Sequence, residues 1–143
     1  MIKKNMCSLL VATLCLIALA TGCSSGDSVE RIKVQGKVSL DGEPLKSGSI
    51  TFLPINNGIS TGASIVDGEY FIDSKDGATE GEYKVEIDLS QPSGKKVPGF
   101  VEGSLEDEYV NVIPEVYNRK TTLRVMIKNG DENKHDFDLK RNP

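Results

Sequence analysis

A repeated alternation of apolar and polar side chains is the feature that most restricts the fold of this chain. Residues 32–40, IKVQGKVSL, and residues 82–90, EYKVEIDLS, both place apolar side chains at alternate positions. A period of two puts one face of a β-strand in the core and the other in water. The pattern recurs between turn-forming Gly, Pro, Asn and Asp residues. We therefore predict seven short strands, at residues 32–40, 49–54, 60–66, 69–72, 82–90, 122–128 and 134–139.

Seven short strands without an amphipathic helix predict an all-β protein, and their number favours a seven-stranded, two-sheet β-sandwich. Asp67-Gly68 separates two of the strands and predicts a tight hairpin, because glycine accepts a positive φ. Most aromatic side chains fall on inward positions and are expected in the core, namely Phe52, Tyr70, Phe71, Tyr83 and Phe137. The aliphatic side chains expected beside them are Ile32, Val34, Val38, Leu40, Ile50, Val85, Ile87, Leu89, Leu123, Val125, Ile127 and Leu139.

The beginning of the chain has a different character from the rest. Lys3 and Lys4 precede an uncharged, almost wholly apolar run that ends at Ala20. This run is shorter than the ~20 residues that a membrane-spanning helix needs, and a charged start followed by a short apolar segment is typical of a secretory signal. We assign the signal peptide to residues 1–22, a flexible tether to residues 23–28 and a single β-sandwich domain to residues 29–143.

The end of the signal, Ala20-Thr21-Gly22-Cys23, resembles the lipobox of bacterial lipoproteins, with alanine where leucine is most common. In that family a diacylglycerol is attached to the cysteine thiol, and the chain is cleaved before that cysteine. The resemblance implies cleavage between Gly22 and Cys23, lipidation of Cys23 and a location in the cell envelope, facing the periplasm or the exterior. Ser24, in place of an aspartate, points to the outer membrane. The alternative is an uncleaved hydrophobic anchor.

Export in this form limits the chemistry of the mature chain. Cys7 and Cys15 leave with the signal and Cys23 carries lipid, so no thiol is left for a disulfide, a metal or a nucleophile. Removing Lys3 and Lys4 from a net charge of −4 leaves −6. This acidic balance argues against nucleic acid as a partner, since phosphates require basic surfaces. We expect a monomer that uses no cofactor.

Three motifs resemble the carboxypeptidase regulatory-like module, which has a transthyretin-like, Ig-like sandwich fold. They are VQGKVSLDGEPLKSGSITFLP, VDGEYFI and GEYKVEI. The family pattern falls on Gly36, Val38, Gly42, Pro44, Leu45, Gly48, Ile50, Asp67, Gly68, Tyr70, Gly81, Tyr83 and Val85. The resemblance covers residues 34–139. The module is attached to peptidases, receptors and adhesins and rarely does chemistry itself, so the resemblance implies a non-catalytic role.

Few residues suggest catalysis or metal binding. His135 is the single histidine and is expected on the polar side of the last strand, whereas acid–base catalysis needs a positioned partner and zinc needs three or four ligands. The hydroxyisourate hydrolases of similar fold end in Tyr-Arg-Gly-Ser, but this chain ends in KRNP. Glu102, Glu106, Asp107 and Glu108 offer oxygens to calcium, but without the spacing of a calcium loop, which favours a solvated acidic loop. We predict no enzymatic activity.

The longest stretch without alternation, residues 91–120, is predicted to be an irregular loop. Long loops in compact domains are usually functional or disordered, and binding residues are often found on them. We predict that residues 92–109 are mobile and contact a partner. The residues proposed for this contact are Lys95, Lys96, Glu106, Asp107, Glu108 and Tyr109. Ile113, Val116 and Tyr117 are expected to pin the rest of the loop to the core.

Together these features predict a lipid-anchored cell-envelope protein that serves as a structural or protein-binding module. The alternative is a carbohydrate- or peptide-binding accessory lipoprotein that acts with a separate enzyme. The predicted partners are the membrane, through the covalent lipid, and an envelope protein or glycan.

Substitution of Cys23 tests the anchor. If acyl chains are attached to the Cys23 thiol, they supply the membrane binding, because each buried CH₂ group contributes about 0.8 kcal/mol. We expect Cys23→Ala to abolish labelling by a tagged fatty acid and to block signal cleavage in growing cells. The neighbouring substitution Ser24→Ala should leave both unchanged. Normal labelling and cleavage of the Cys23→Ala chain would contradict the assignment.

Overall fold

The computed structural model describes residues 29–143, which form an all-β domain. The elements in order are β1 Val34–Leu40, β2 Glu43–Pro44, β3 Ser47–Pro54, β4 Thr61–Val66, β5 Glu69–Ile72, β6 Gly81–Asp88, β7 Ser90–Pro98, β8 Leu105–Asn111, a 3₁₀ turn Glu115–Tyr117, β9 Arg124–Ile127 and β10 Phe137–Leu139. None of these elements is a helix long and apolar enough to cross a membrane. The predicted signal peptide, tether and lipidated Cys23 lie outside the described residues.

Seven of the strands follow one continuous hydrogen-bonded path. The strand order is β10-β1-β5-β4-β3-β6-β9, with the short β2 alongside β1. Neighbouring strands are antiparallel, except that β10 runs parallel to β1. The inward side chains of all seven path strands belong to or pack against one hydrophobic cluster, so the sheet curls around its own apolar face. This arrangement is consistent with a β-sandwich.

All seven predicted strands are present, with ends shifted by three residues at most. The predicted hairpin at Asp67-Gly68 is also confirmed. Both residues have left-handed backbone conformations, with φ of 50° and 82°, as a two-residue type I′ turn between antiparallel strands requires. Local turn chemistry therefore determines the β4–β5 register.

The predicted alternation is confirmed most clearly in β6. Tyr83, Val85 and Ile87 have no solvent exposure, whereas the intervening Lys84 and Glu86 are partly exposed. The remaining inward positions are buried, except that Leu89, Leu123 and Val125 are partly buried against the same cluster.

Aromatic rings connect three strands across the core. The ring of Tyr70 in β5 lies 5.9 Å from that of Phe52 in β3 and 6.5 Å from that of Phe137 in β10. Phe71, which was expected in the core, is instead 57% exposed. Its neighbours Tyr70 and Ile72 are buried, and successive side chains of a strand point to opposite faces.

Residues 91–120 do not form the predicted irregular loop. Most of the segment is the β-hairpin of β7 and β8, followed by the 3₁₀ turn. Of the three side chains expected to pin its second half, Ile113 is buried and Tyr117 packs against the core, whereas Val116 is exposed. Val116 lies in the middle of the short 3₁₀ turn, in which no residue is buried.

The hairpin leaves the domain at the end opposite to the one where the chain enters. Four successive antiparallel pairings, from β1 through β5, β4 and β3 to β6, make β1 and β6 run in the same direction. Ile32 pairs with Ala78, just before β6 begins, and β7 starts at Ser90, just after β6 ends. The eight residues of β6 separate the two ends by roughly 25 Å at about 3.3 Å per residue.

Two neighbouring substitutions in β6 test the register by stability. Val85→Asp places a carboxylate at a fully buried position, and we expect it to destabilise the full chain on the order of 3–5 kcal/mol, as for other uncompensated buried charges. Lys84→Asp lies opposite Arg124 of β9, where opposite charges are favourable, and should change stability by less than about 1 kcal/mol. Urea unfolding measures both. Equal losses would contradict the observed register.

Candidate functional site: the β7–β8 hairpin

All six residues that the sequence suggested for partner binding lie on the β7–β8 hairpin. The two strands are antiparallel, with Gln91 opposite Val110 and Pro98 opposite Leu105. Within residues 29–143, neither strand pairs with any strand but the other. The site is therefore a two-stranded ribbon that extends beyond the curled sheet.

A bulge interrupts the ribbon near its middle. Between Pro92 and Lys96, three residues of β7 face Glu108 alone. Gly94 in this bulge has a φ of 81°, which glycine adopts without steric cost. The Ser93 hydroxyl donates a hydrogen bond to the Glu108 carboxylate across the bulge, with 2.5 Å between Oγ and Oε2. Bulges of this kind bend a strand and increase its twist.

Alternation along β8 divides the ribbon into two faces of different character. One face, here called the apolar face, carries Leu105, Asp107 and Tyr109 together with their cross-strand neighbours Pro98, Lys96 and Pro92. The other, here called the acidic face, carries Glu106, Glu108 and Val110.

The charges on the two faces are satisfied differently. On the apolar face Asp107 forms an ion pair with Lys96, with 2.9 Å between Oδ1 and Nζ. On the acidic face Glu106 accepts a hydrogen bond from the backbone N–H of Phe100 at 3.3 Å. Glu108 accepts from the Ser93 hydroxyl. Neither glutamate forms an ion pair with another described residue, so both carboxylates of the acidic face are available to a cationic partner.

Apolar side chains are exposed to solvent at the tip of the ribbon and at Tyr109, which lies nearer the base, opposite Pro92. Phe100 is fully exposed, Val101 and Leu105 are each 67% exposed, and Tyr109 is 63% exposed. Of these only Tyr109 was selected from the sequence. The signal that was missed is the stretch Gly-Phe-Val-Glu-Gly at residues 99–103, which places two large apolar residues between turn-forming glycines.

Asn111 fastens the base of the ribbon to the sheet. Its side-chain oxygen accepts hydrogen bonds from the backbone N–H groups of Leu89 and Ile113, each at 3.1 Å. Its side-chain amide donates to the Asp88 carboxylate at 2.6 Å. A backbone hydrogen bond from Val112 to Leu89 adds to this connection. The ribbon is thus fixed at its base, although its strands pair only with each other.

The acidic residues do not converge on one point. Asp107 points to the opposite face from Glu106 and Glu108, and it is already paired with Lys96. In the part of the chain that the structure describes, no three His, Cys, Asp or Glu side chains come together as a metal site would require.

His135 lies far from the hairpin strands in the fold, at the contact between β1 and the segment before β10. A Cβ atom on Gly36 would meet the His135 carbonyl oxygen at 1.9 Å, so glycine permits this close approach. The Tyr70 hydroxyl donates a hydrogen bond to the same oxygen at 2.7 Å. Burial, with a smaller contribution from the Asp136 carboxylate, raises the pKa of Tyr70 well above its usual range and keeps this donor protonated.

The imidazole of His135 is half-buried, which corrects the expectation of a solvent-facing side chain. His135 shares the strand parity of Phe137, so it points inward. Burial lowers the pKa of His135 and outweighs a smaller, opposing effect of the Asp136 carboxylate. The lowered pKa favours the neutral form of the ring. The buried Nε2 has no hydrogen-bond partner in residues 29–143.

Comparison of the chain with protein-family models, curated proteins and solved structures finds no match.

Excision of the ribbon tests whether it is energetically separate from the domain. Because Gln91 and Val110 are directly paired, an Asn-Gly turn in place of residues 92–109 closes the strands with the preferred two-residue geometry. We expect the free energy of unfolding to change by less than about 1 kcal/mol, since the excised strands pair only with each other and loop closure depends weakly on length.

The matched control is Asn111→Ala in the intact chain. It removes three hydrogen bonds at the base, and we expect a loss of about 1 kcal/mol. Denaturant unfolding of both variants provides the measurement. A large loss of stability on excision would mean that the ribbon is part of the core structure.

Proposed function

We propose that this chain is a lipid-anchored cell-envelope protein built on a seven-stranded, Ig-like sandwich of the carboxypeptidase regulatory-like type. Cys23 carries the lipid. The domain performs no catalysis and acts as a protein-binding module. The β7–β8 hairpin is the surface that contacts the partner.

The observation that carries this proposal is the unpartnered hairpin with exposed apolar residues. A two-stranded hairpin alone is marginally stable in water and normally needs a further strand or a packing surface. Phe100 at the tip is fully exposed. Contiguous apolar exposure on a soluble surface usually marks an interaction site.

The position of the hairpin also supports a partner beyond the anchoring membrane. The tether at residues 23–28 would join the domain where Val29 enters, and β7 starts at the opposite end of β6. An anchor at Cys23 would therefore hold the entry end towards the membrane. The base of the hairpin would then lie at the end of the domain away from the lipid surface, where other components of the envelope can reach the ribbon.

A second candidate function is carbohydrate binding by the outer face of the sheet. The exposed ring of Phe71 lies in a groove of about 780 Å³, with polar side chains around it, among them Gln35, Lys37, Ser64 and Lys134. An exposed ring flanked by hydrogen-bonding groups suits stacking against a sugar. A glycan array with the full chain, and with Phe71→Ala as control, separates this candidate from the first.

Site-specific photo-crosslinking in intact cells tests the leading proposal. We expect a photoreactive amino acid at Phe100 or at Tyr109 to give the same discrete protein adduct, because both positions are exposed on the ribbon. The same amino acid at Lys75, which is exposed at the entry end, should give no such adduct. Absence of an adduct from both hairpin positions, or an equal adduct from Lys75, would contradict the proposal.

A further inference from the structure

The two outer edges of the hairpin differ in how open they are to strand pairing. The β7 edge carries Pro92 and Pro98, which lack a backbone N–H, as well as the bulge between Pro92 and Lys96 and two lysines. Prolines, bulges and lysines are the features by which proteins block unwanted pairing at a sheet edge. β8 spans Leu105–Asn111 and contains no proline, glycine or lysine. The β8 edge is therefore the one that remains competent to accept a strand.

The backbone of the β8 edge has no partner strand within residues 29–143. Unpaired N–H and C=O groups along an edge are a template for an added strand. Such β-augmentation obtains affinity from main-chain hydrogen bonds and specificity from alternate side chains. A third strand would also relieve the marginal stability of a two-stranded ribbon.

Charge on β8 argues against a second copy of this chain as that strand. In an antiparallel self-pairing centred on Asp107, Glu106 would lie opposite Glu108 of the other copy. In a parallel in-register pairing each carboxylate would lie beside its own equivalent. Like charges in directly opposed positions are destabilising, and neither Glu106 nor Glu108 forms an ion pair within residues 29–143. The same charges disfavour an anionic lipid surface, which attracts basic segments.

We propose that the β8 edge binds an extended partner segment whose residues alternate between basic and apolar. This inference rests on the proposed function of the hairpin. The basic side chains would lie beside Glu106 and Glu108 on the acidic face. The apolar side chains would lie beside Leu105 and Tyr109 on the apolar face, where Asp107 is already neutralised by Lys96. The segment would add to the hairpin as a third strand.

The direct probe is a labelled peptide of seven residues, the length of β8, that alternates lysine and valine. We expect it to bind the full chain, purified in detergent, with a signal measured by fluorescence anisotropy. A peptide of the same composition with its lysines and valines in separate blocks should bind at least about tenfold more weakly. It has equal charge but cannot present two different faces when paired as a strand.

Backbone methylation of the peptide tests strand pairing itself. In a strand paired along one edge, the N–H groups of alternate residues point towards the partner. N-methylation of all lysines in one peptide and of all valines in another should therefore have unequal effects, with one peptide losing binding and the other retaining it. Equal effects of the two methylated peptides would overturn the proposal.

Charge reversal in the protein tests the acidic face. We expect Glu106→Lys combined with Glu108→Lys to weaken peptide binding by about tenfold, the sum expected for two exposed ion pairs turned into repulsions. The matched control is Glu80→Lys combined with Glu132→Lys, which changes the net charge equally at exposed positions outside the hairpin. This control should change affinity by less than about twofold. Equal weakening by both pairs would reduce the interaction to general attraction and overturn the proposal.

Failure of this inference can be distinguished from failure of the proposed function. If the peptide does not bind but Phe100 and Tyr109 still crosslink to one protein in cells, the hairpin is a docking surface of another kind. If the chain sediments as a dimer that Glu106→Lys and Glu108→Lys alter, the occupant of the edge is a second copy. Either result overturns the inference of a basic partner strand. Loss of the crosslinks removes the proposed function itself.

Discussion

Burial of one face of a single curled sheet is the constraint on which the rest of the structure depends. The inward side chains of β1, β3 and β6 reach zero or near-zero exposure only because the path curls around them. The rings of Phe52, Tyr70 and Phe137 span this interior from β3 through β5 to β10. Each loss of apolar contact here affects several strands, since a close-packed core relaxes only partly. An unpaired charge buried in this core, as at position 85, is more damaging than a lost apolar contact, because it also loses its hydration.

The closure of β10 on β1 depends on one close backbone approach. Gly36 leaves room for the carbonyl of His135, and the Tyr70 hydroxyl donates to that carbonyl. The segment that carries the only histidine is therefore used to complete the sheet. Because burial disfavours the charged imidazole, the unfolded chain binds a proton more readily at this position. Its contribution to stability is complete above the ordinary histidine pKa of 6.5 and declines as the pH falls below that value.

The hairpin is the opposite case, because its strands gain nothing from the core. Its base is fixed by Asn111 and its strands pair with each other, but Phe100 and Leu105 remain in water. A surface of this kind is free of the packing demands on β1–β6. It can therefore combine apolar and acidic side chains on opposite faces of one strand. That combination favours an extended basic partner and disfavours self-association.

The sequence by itself determined the all-β class, the seven strands of the sheet and most core positions, because alternation and turn residues are local signals. Alternation with Tyr70 and Ile72 already places Phe71 on the exposed face, and alternation with Phe137 places His135 on the inward side. Each of them was nevertheless expected on the opposite side. Only the tertiary structure decided that residues 90–111 form a ribbon. Its β7 strand contains two prolines and a bulge and lacks alternation, so strand formation there depends on pairing with β8. The position of the hairpin's base, at the end of β6 away from Val29, likewise follows from the strand order, which no local pattern encodes.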